Sequence, residues 1–457
     1  MQAELTSAPV CQVDLLIAGG IVVTMDGDRR VIADGAIAIS DGRIVAVGPT
    51  LAIEATHRAT ERIDATGRIV IPGLINGHTH LPMTLFRGLA DDQDLDEWLQ
   101  HTIFPAEAMN VDEAFVRAGT RLALAELIRG GVTTVCDMYY FEHAVAEEMA
   151  GAGLRGLLGQ ALIDFPAPDS ADHNAAMACM ERYVESWQGH ALITPAIAPH
   201  APYTVCDDHL LEARRFADRH GCPLVIHLAE TRHEVAESRR LKGAAPVEHL
   251  AALDVLSEAM VAAHVVWAEE HELDLLQQHG VGIVHNPQSN MKLACGVAPL
   301  PSMLQRDLPV GLGTDGSASN NDLSLWEEID TAAKLHKLIS ADPKVVTAQE
   351  AFEMATIRGA RALHLESQVG SLEVGKRADL AVLDMEAINQ LPLSSIYSAL
   401  VYATKASDVR TLVVEGRVVL RDRTLLTLDE AAINAEALTY RHRIVERLGL
   451  DSGAAAG

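Results

Sequence analysis

The chain has few positive charges and few aromatic side chains for its length. Its 457 residues include 36 Lys and Arg against 63 Asp and Glu, for a formal net charge of −27 at pH 7. Nucleic-acid backbones and anionic membrane surfaces are bound by clustered Lys and Arg, so this balance argues against both as partners. Only 4% of the residues are aromatic, which leaves few side chains able to stack on a base.

Paired cysteines and long apolar runs are also missing. The six cysteines include no Cys-x-x-Cys pair, which argues against a zinc knuckle and a disulfide framework, and reduced thiols are typical of the cytoplasm. No apolar run approaches the ~20 residues that cross a bilayer, and no basic segment followed by an apolar stretch opens the sequence. We therefore expect a cytoplasmic protein.

Both ends of the chain are rich in short strands. Residues 1–67 and 369–457 contain apolar runs that are interrupted by Gly and Asp-Gly turns. Neither segment is large enough to make a good core alone. We therefore predict one small β-sandwich built from both chain ends, with residues 68–368 inserted between them as a separate domain.

The central segment alternates short apolar runs with longer stretches of helical periodicity. One such stretch, DEAFVRAGTRLALAELIRGG, ends in Gly-Gly, as helices often do. Eight strands that alternate with helices predict an α/β fold of the (β/α)8 TIM-barrel type. The eight runs span residues 69–77, 131–139, 154–164, 192–200, 222–230, 260–267, 281–289 and 308–316.

Histidines and acids follow these runs, where a barrel of this type places its active site. His78 and His80 end the first run in the sequence GLINGHTH, and side chains two residues apart in a strand share a face. His227 lies in the fifth run and Asp315 at the end of the eighth. Three imidazoles and one carboxylate suit Zn²⁺, and Fe²⁺ or Mn²⁺ also fit the set.

Two further residues are candidates for proton chemistry around such a metal. Glu230 follows His227 by three residues and should lie on the loop at the barrel mouth, where it would shuttle protons. His264 in the sixth run would hold the attacking hydroxide, and Asp315 would take the proton of the water. No lysine precedes Lys242, so a carbamylated lysine in the first four strands cannot bridge two metals. One metal is favoured, and a carboxylate-bridged pair stays open.

Several longer segments carry a family resemblance. The histidines on strands one, five and six, the aspartate on strand eight and the split sandwich resemble the amidohydrolase superfamily. The more specific segments resemble the 5-methylthioadenosine/S-adenosylhomocysteine deaminases over essentially the whole chain. They are PGLINGHTHLPMTLFRGLADDQDLDEWL, APHAPYT, IHLAET, HNPQSNMKLACG and VGLGTDGSASNNDL.

This resemblance implies hydrolytic deamination at C6 of the adenine ring, with release of ammonia. It implies the metal ligands named above, and Glu230 as the acid that protonates N1 of the purine. Glu97 would bind the ribose hydroxyls, and His200 would hold the nucleoside. The structural alternatives are a solvated acid on an amphipathic helix for Glu97 and a strand-end cap for His200.

The 5′ substituent and the neighbouring activities stay open at this stage. S-adenosylhomocysteine carries a carboxylate that an arginine binds best, and Gln160 stands where some relatives have an arginine. This favours methylthioadenosine or adenosine as the substrate. The alternative function is a relative that acts on another ring, such as a triazine chlorohydrolase, a guanine-type deaminase or a pterin deaminase. The resemblance also implies a homo-oligomer, most simply a dimer.

Overall fold

The structure, a computed structural model, describes residues 10–89 and 91–449. Five strands open the described chain and belong to one mixed sheet. In chain order they are β1 (Cys11–Val23), β2 (Val31–Ser40), β3 (Arg43–Pro49), β4 (His57–Asp64) and β5 (Arg68–Pro72). Strand β1 alternates its side chains between two apolar clusters, with Leu15 and Ile17 in one and Leu16 and Ala18 in the other. This period-two pattern is that of a strand with apolar neighbours on both faces.

The central part forms the predicted barrel of eight parallel strands. They are β6 (Leu74–Thr79), β7 (Val132–Tyr139), β8 (Arg155–Leu162), β9 (Ile193–Pro199), β10 (Leu224–Leu228), β11 (Met260–His264), β12 (Gly282–His285) and β13 (Val310–Leu312). Each strand pairs in parallel with the next along the chain. The two end strands meet through the side chain of Asn76, whose Oδ1 accepts a hydrogen bond of 3.0 Å from the Thr314 N–H. Seven of the eight predicted runs contain one of these strands, and the first run, 69–77, overlaps β6 only in part.

The chain then returns to the first sheet, as the strand-rich ends predict. Strands β14 (Leu380–Asp384), β15 (Val409–Val414), β16 (Arg417–Arg421) and β17 (Thr424–Leu425) complete a nine-stranded sheet. Strand β14 pairs antiparallel with β5, so the C-terminal strands add directly to the N-terminal ones. The prediction that both chain ends build one smaller unit beside the barrel is therefore confirmed, and the predicted β-sandwich is observed as one mixed sheet.

One strand prediction is wrong: residues 69–77 are two strands in two different sheets. Gly73 separates them, and its N–H donates a hydrogen bond of 3.0 Å to the Asp379 carbonyl. A Cβ atom at position 73 would lie 2.1 Å from Oγ1 of Thr133, so the chain can turn here only with glycine. We accordingly propose the junction between the sheet and the barrel at Gly73, a few residues after the predicted boundary at 68.

Helices follow the barrel strands and cover them. The predicted helix after the first strand spans Glu113–Gly130, and it begins at Asp112, whose Oδ1 accepts from the Phe115 N–H at 2.8 Å. The α-helices are Thr50–Thr56, Leu95–Glu97, Phe104–Asn110, Glu113–Gly130, Glu142–Ala152, His173–Trp187, Asp207–His220, Arg232–Lys242, Pro246–Ala252, Glu270–Gln278, Pro287–Lys292, Leu300–Gln305, Leu325–Ser340, Ala348–Met354, Ile357–Ala362, Ile396–Tyr402 and Glu430–Leu448. Short 3-10 turns span Leu81–Phe86, Ile388–Gln390 and Ala406–Asp408, and a π-helical turn spans Trp98–Ile103.

A buried ion pair joins the base of the barrel to the mixed sheet. Arg155, at the start of β8, donates to Asp379 at 2.9 Å and to Glu415 at 2.6 Å. Burying a guanidinium is costly unless it is paired in this way, so the contact fixes the sheet beneath the barrel. No helix within 10–89 or 91–449 is long and apolar enough to cross a membrane.

Candidate active site

The carboxyl ends of β6, β10 and β13 bring the four predicted ligands together. Nε2 of His80 lies 3.2 Å from Oδ1 of Asp315 and 3.3 Å from Nε2 of His227. Nε2 of His78 lies 3.5 Å from the same Asp315 oxygen. Because β6 ends at Thr79, the first histidine belongs to the strand and the second lies just beyond it. Three strand ends thus aim nitrogen and oxygen atoms at one small volume.

The outer ring nitrogens fix how the imidazoles face this volume. Nδ1 of His80 bonds to the Met138 carbonyl at 2.7 Å, and Nδ1 of His227 bonds to the His200 carbonyl at 2.8 Å. A carbonyl oxygen only accepts, so each Nδ1 carries a proton, and Nε2 is the nitrogen left to bind a metal. This arrangement is typical of histidines that bind metal through Nε2.

The ring of His78 supplies the test of whether the site fits a metal. Both of its ring nitrogens are buried and have no hydrogen-bond partner among the described residues. A buried polar group without a partner is costly, and a metal ion would satisfy it. Ligand atoms of His78, His80 and Asp315 all lie within 4.8 Å of one another, as do those of His78, His227 and His264. The donor set therefore fits a divalent transition metal.

Burial and charge set the protonation of these groups. Burial lowers the pKa of His78 to about 4 and brings the pKa of His227 well below 6.5, so both rings are neutral at pH 7. The pKa of His80 rises to about 9, because the hydrogen bond and charge of Asp315 outweigh the effect of burial. Burial likewise opposes ionisation of Asp315, and its contacts with His78 and His80 reverse this and lower its pKa.

Asp315 is held by neighbours other than the histidines. Its Oδ2 accepts hydrogen bonds from the hydroxyls of Ser289 at 2.7 Å and Ser319 at 3.0 Å, and its Oδ1 accepts from the Gly316 N–H. Its backbone φ of +61° lies in the left-handed region, as does that of His264 at +74°. Strained residues of this kind cluster at functional sites, where the surrounding structure holds them in place.

Glu230 and His264 lie beside the four ligands. Nδ1 of His264 lies 2.9 Å from Oδ1 of Asn290 and 3.7 Å from Oε1 of Glu230. The Cys295 thiol donates a weak hydrogen bond of 3.5 Å to the same glutamate oxygen. Burial raises the pKa of Glu230 above 4.5, so this carboxyl keeps its proton more readily than an exposed one. A raised pKa suits a residue that gives and takes protons near neutral pH.

The site opens into a cavity with mostly apolar walls. His80, His227, Asp315, Glu230 and His264 line its floor. An apolar cavity with a few convergent polar groups is typical of a small-molecule site. The apolar side chains on its walls include Met83, Leu95, Trp98, Phe104 and Leu293.

The two predicted nucleoside-binding residues have different positions. His200 lines the cavity, its Nδ1 lies 2.9 Å from Oγ1 of Thr204, and burial lowers its pKa to about 3. Glu97 is exposed and is not among the residues that line the cavity, although Leu95 and Trp98 on either side of it are. The structure therefore brings His200 to the site and leaves Glu97 at the surface beside it.

Sequence reasoning missed an acid that the cavity contains. Glu107 is buried in the cavity wall, and the Tyr139 hydroxyl donates to its Oε1 at 2.5 Å. Burial raises the pKa of Glu107 to about 7. The indole N–H of Trp98 is also buried and has no partner among the described residues. The only sequence signal was an acid among the small apolar residues of the Phe104–Asn110 helix, and that pattern also fits a solvated helix face.

The cavity wall offers no Lys or Arg among its described residues. All lining residues are apolar, aromatic, histidine or acidic. The side chain of Gln160 lies outside the cavity, where its Nε2 donates to Asp169 at 2.8 Å and its Oε1 accepts from the Glu142 N–H. Arg155 is committed to the ion pair at the other end of the same strand.

A parallel barrel with three imidazoles and an aspartate at its strand ends, mounted on a sheet from both chain termini, defines a barrel hydrolase. The model for the amidohydrolase family matches residues 69–419. The chain belongs to that family and, within it, to the group of the 5-methylthioadenosine/S-adenosylhomocysteine deaminases.

Three relatives document this membership. A 5-methylthioadenosine/S-adenosylhomocysteine deaminase of Syntrophobacter fumaroxidans is 48% identical over 95% of this chain and 98% of its own length. A 5′-deoxyadenosine deaminase of Methanosarcina mazei is 39% identical over 95% of this chain and 99% of its own. The solved structure of an adenosine deaminase from Xanthomonas campestris with bound zinc is 38% identical, with a TM-score of 0.94 over 96% of this chain and all of that one.

Proposed function

We propose that the protein is a metal-dependent deaminase that converts the adenine of a nucleoside to hypoxanthine and releases ammonia. The observation that carries this proposal is the buried acid Glu230 beside the convergent ligands, in a cavity with mostly apolar walls. Relatives that align with essentially the whole chain are named as deaminases, and this supports the same reaction. The balance is one adenine nucleoside and one water giving one hypoxanthine nucleoside and one ammonia.

His78, His80, His227 and Asp315 are the proposed ligands of one Zn²⁺, and Fe²⁺ or Mn²⁺ are the alternative ions. The orphaned nitrogens of His78 and the bound zinc of the Xanthomonas campestris relative support this assignment. When bound, such a metal would lower the pKa of a water molecule towards about 7 and so supply a nucleophile at neutral pH. Asp315 would take a proton from the attacking water, and His264 would hold its oxygen.

Glu230 is the proposed acid for the purine ring. Burial raises its pKa, so the carboxyl holds a proton more readily than an exposed acid, and delivery of that proton to N1 would make C6 more electrophilic. The same carboxyl then helps the departing amino group to leave as ammonia. The apolar walls exclude bulk water from the ring, which strengthens each of these hydrogen bonds.

Two acidic residues are candidates for binding the ribose hydroxyls. The sequence resemblance assigns them to Glu97, whose side chain lies at the surface, and that role stays a prediction. Glu107 already lines the cavity, and its carboxylate is an acceptor of the kind that a pair of hydroxyls needs. We propose Glu107 as the ribose acceptor, with His200 on the nucleoside as predicted.

A small or apolar 5′ group is the proposed preference among nucleosides. The carboxylate of S-adenosylhomocysteine would find no Arg or Lys among the described residues of the cavity wall. We therefore rank methylthioadenosine, 5′-deoxyadenosine and adenosine above S-adenosylhomocysteine. The M. mazei relative, named for 5′-deoxyadenosine, supports this order.

The alternative function, hydrolysis at a triazine, guanine or pterin ring, is less well supported. The relatives at 38–48% identity are named as adenine-nucleoside deaminases. The two proposed functions differ in whether the substrate must carry a ribose. Metal-loaded protein should therefore be given methylthioadenosine, adenosine, free adenine, guanine and isoxanthopterin in parallel, with ammonia as the readout. Turnover of the nucleosides alone supports the proposal, and turnover of a free ring alone overturns it.

We also propose a cytoplasmic homodimer. The family resemblance supports the dimer, and the cysteine pattern supports the compartment. Light scattering on the purified protein measures the mass directly. A monomer near 49.1 kDa would contradict the assembly and would leave the proposed chemistry unaffected.

A further inference from the structure

A second group of possible metal ligands lies at the mouth of the barrel, apart from the active site. Asp164 follows strand β8, His173 begins one helix, and His209 lies in the first turn of the helix Asp207–His220. One ligand atom from each of the three lies within 4.8 Å of the others. We infer that Asp164, His173 and His209 bind a second divalent transition metal, with zinc as the ion to test.

The contacts of His173 favour a metal over a hydrogen-bonded surface cluster. Its Nε2 lies 2.9 Å from Oε2 of Glu212, and a carboxylate only accepts, so the ring proton belongs on Nε2. This leaves a lone pair on Nδ1, which is buried and has no hydrogen-bond partner among the described residues. A histidine whose outer N–H is held by a carboxylate while its other nitrogen is unpartnered has the arrangement found in metal sites.

Asp164 is positioned for the same role. The Cys206 N–H donates to its Oδ2 at 2.7 Å, which leaves Oδ1 to face the imidazole of His209. The Nδ1–H of His209 donates to that oxygen at 2.6 Å. In the metal-bound state the ion would replace this shared proton. Hydrogen bonds from His209 and Cys206 outweigh the effect of burial and lower the pKa of Asp164.

Charge also favours a divalent ion. The carboxylates of Asp164 and Glu212 bring two negative charges to the cluster. Asp164 faces His209, and Glu212 faces His173. No Lys or Arg forms an ion pair with either carboxylate among the described residues. Ligand atoms around one tetrahedral zinc lie roughly 3.4 Å apart, given zinc–ligand distances of about 2.0–2.2 Å.

One rearrangement is required. The rings of His173 and His209 are stacked, with centroids 3.4 Å apart and planes within 4°. Two parallel rings cannot both aim a lone pair at one ion, so each must tilt about its χ2 torsion. That torsion is soft for histidine, and the side chains are only partly buried, so the tilt needs no change in the core.

The ion would tie two active-site loops together. Asp164 follows Ile163, which lines the catalytic cavity, and the helix that carries His209 follows the segment from His200 to Tyr203, which also lines it. A metal that joins these segments stabilises the cavity mouth without touching the substrate. The inference is independent of the proposed reaction, because none of its ligands belongs to the catalytic site.

The test is a metal count on the holoenzyme. Purified protein is equilibrated with a fixed free Zn²⁺ concentration, and bound zinc per chain is measured by mass spectrometry. The wild type should bind one more ion than the double variant His173→Gln/His209→Gln, while activity stays within about twofold. His220→Gln is the matched control, because His220 lies on the same helix, pairs with Glu181 at 3.2 Å and has no part in the cluster.

A second readout guards against a variant that loses structure. Zinc should raise the unfolding temperature of the wild type and of His220→Gln beyond any rise in the double variant, because an ion that binds only the folded chain stabilises it. Equal zinc counts and equal temperature shifts in all three proteins would overturn the inference. Equal counts overturn the inference whether all three proteins bind one zinc ion or two. A second ion that the double variant still binds must lie at another site.

Discussion

The backbone N–H of Asp315 donates a hydrogen bond of 2.9 Å to the backbone carbonyl of His78, where the last strand of the barrel meets the first. Two proposed ligands from opposite ends of the barrel sequence are therefore placed by the backbone itself. Side-chain substitutions leave this bond intact, so ligand loss and barrel stability can be separated in experiments.

Asp315→Asn tests this separation. The Asn side chain keeps an oxygen for the hydroxyls of Ser289 and Ser319 but lacks the negative charge that holds a metal. We expect bound metal to fall and turnover to drop by roughly 10²–10⁴-fold, the range typical of losing a positioned acid or base. Metal content by mass spectrometry and far-ultraviolet circular dichroism check the two parts. Full metal occupancy in the variant would remove Asp315 from the ligand set.

Glu230→Gln should behave differently. The acid lies beside the ligands without belonging to them, so metal content should stay at the wild-type value while turnover falls by roughly 10²–10⁴-fold. Glu237→Gln is the matched control, since Glu237 lies seven residues further along and pairs only with Arg240 on the surface. A Glu230→Gln enzyme with near wild-type turnover would contradict the proton-transfer role.

A pair of variants decides which acid binds the ribose. Loss of a hydrogen bond to a charged group costs about 1.5–3 kcal/mol, so Glu107→Gln should raise KM for adenine nucleosides roughly 10- to 100-fold at a pH above about 7, where Glu107 is ionised. Glu97→Gln should leave KM near the wild-type value if the exposed carboxylate does not reach the cavity. Steady-state kinetics on both variants give the answer. A loss confined to Glu97→Gln would restore the assignment made from the sequence.

The sequence was most informative where chemistry and periodicity coincide. The eight apolar runs predicted the barrel, and the polar residues at their ends predicted the cluster, because parallel strands bring their carboxyl ends to one edge. Position 73 escaped prediction because nothing local shows that a run of nine apolar and small residues divides between two sheets. The reason is the close approach of Thr133, which lies 60 residues away.

Glu107 escaped prediction for a related reason. A glutamate in a short helix has the same local pattern whether it faces solvent or a cavity, and its burial depends on Tyr139 from the neighbouring strand. Glu97 was predicted as a site residue because its segment resembles the family, and its side chain lies at the surface. Tertiary contacts, which single-sequence patterns do not contain, decide both cases.

Buried histidines away from the metal predict an acid sensitivity. Nε2 of His285 and Nε2 of His336 lie 3.0 Å apart between strand β12 and the helix Leu325–Ser340. Burial lowers the pKa of His336 to about 4 and that of His285 well below 6.5. The unfolded chain therefore binds more protons than the folded one below pH 6.5, and this pair loses stability as pH falls towards 4.

His336→Gln removes one of these groups and keeps an amide to face His285. Each neutral buried imidazole contributes a slope of at most about 1.4 kcal/mol per pH unit, approached below pH 6.5, so the variant should show a shallower fall in the free energy of unfolding. Denaturant unfolding between about pH 7 and pH 5 measures the slopes. Identical slopes in the variant and the wild type would show that His336 does not stay neutral in the folded protein.

The most direct test of the central claim is the stoichiometry of a complete reaction. Metal-loaded enzyme is incubated with methylthioadenosine, and ammonia and the purine product are quantified together. The proposed reaction predicts one ammonia for each hypoxanthine nucleoside, with the 5′-methylthio group and the glycosidic bond intact. Recovery of unchanged substrate from an enzyme with full metal content, or release of free adenine without ammonia, would contradict adenine-nucleoside deamination.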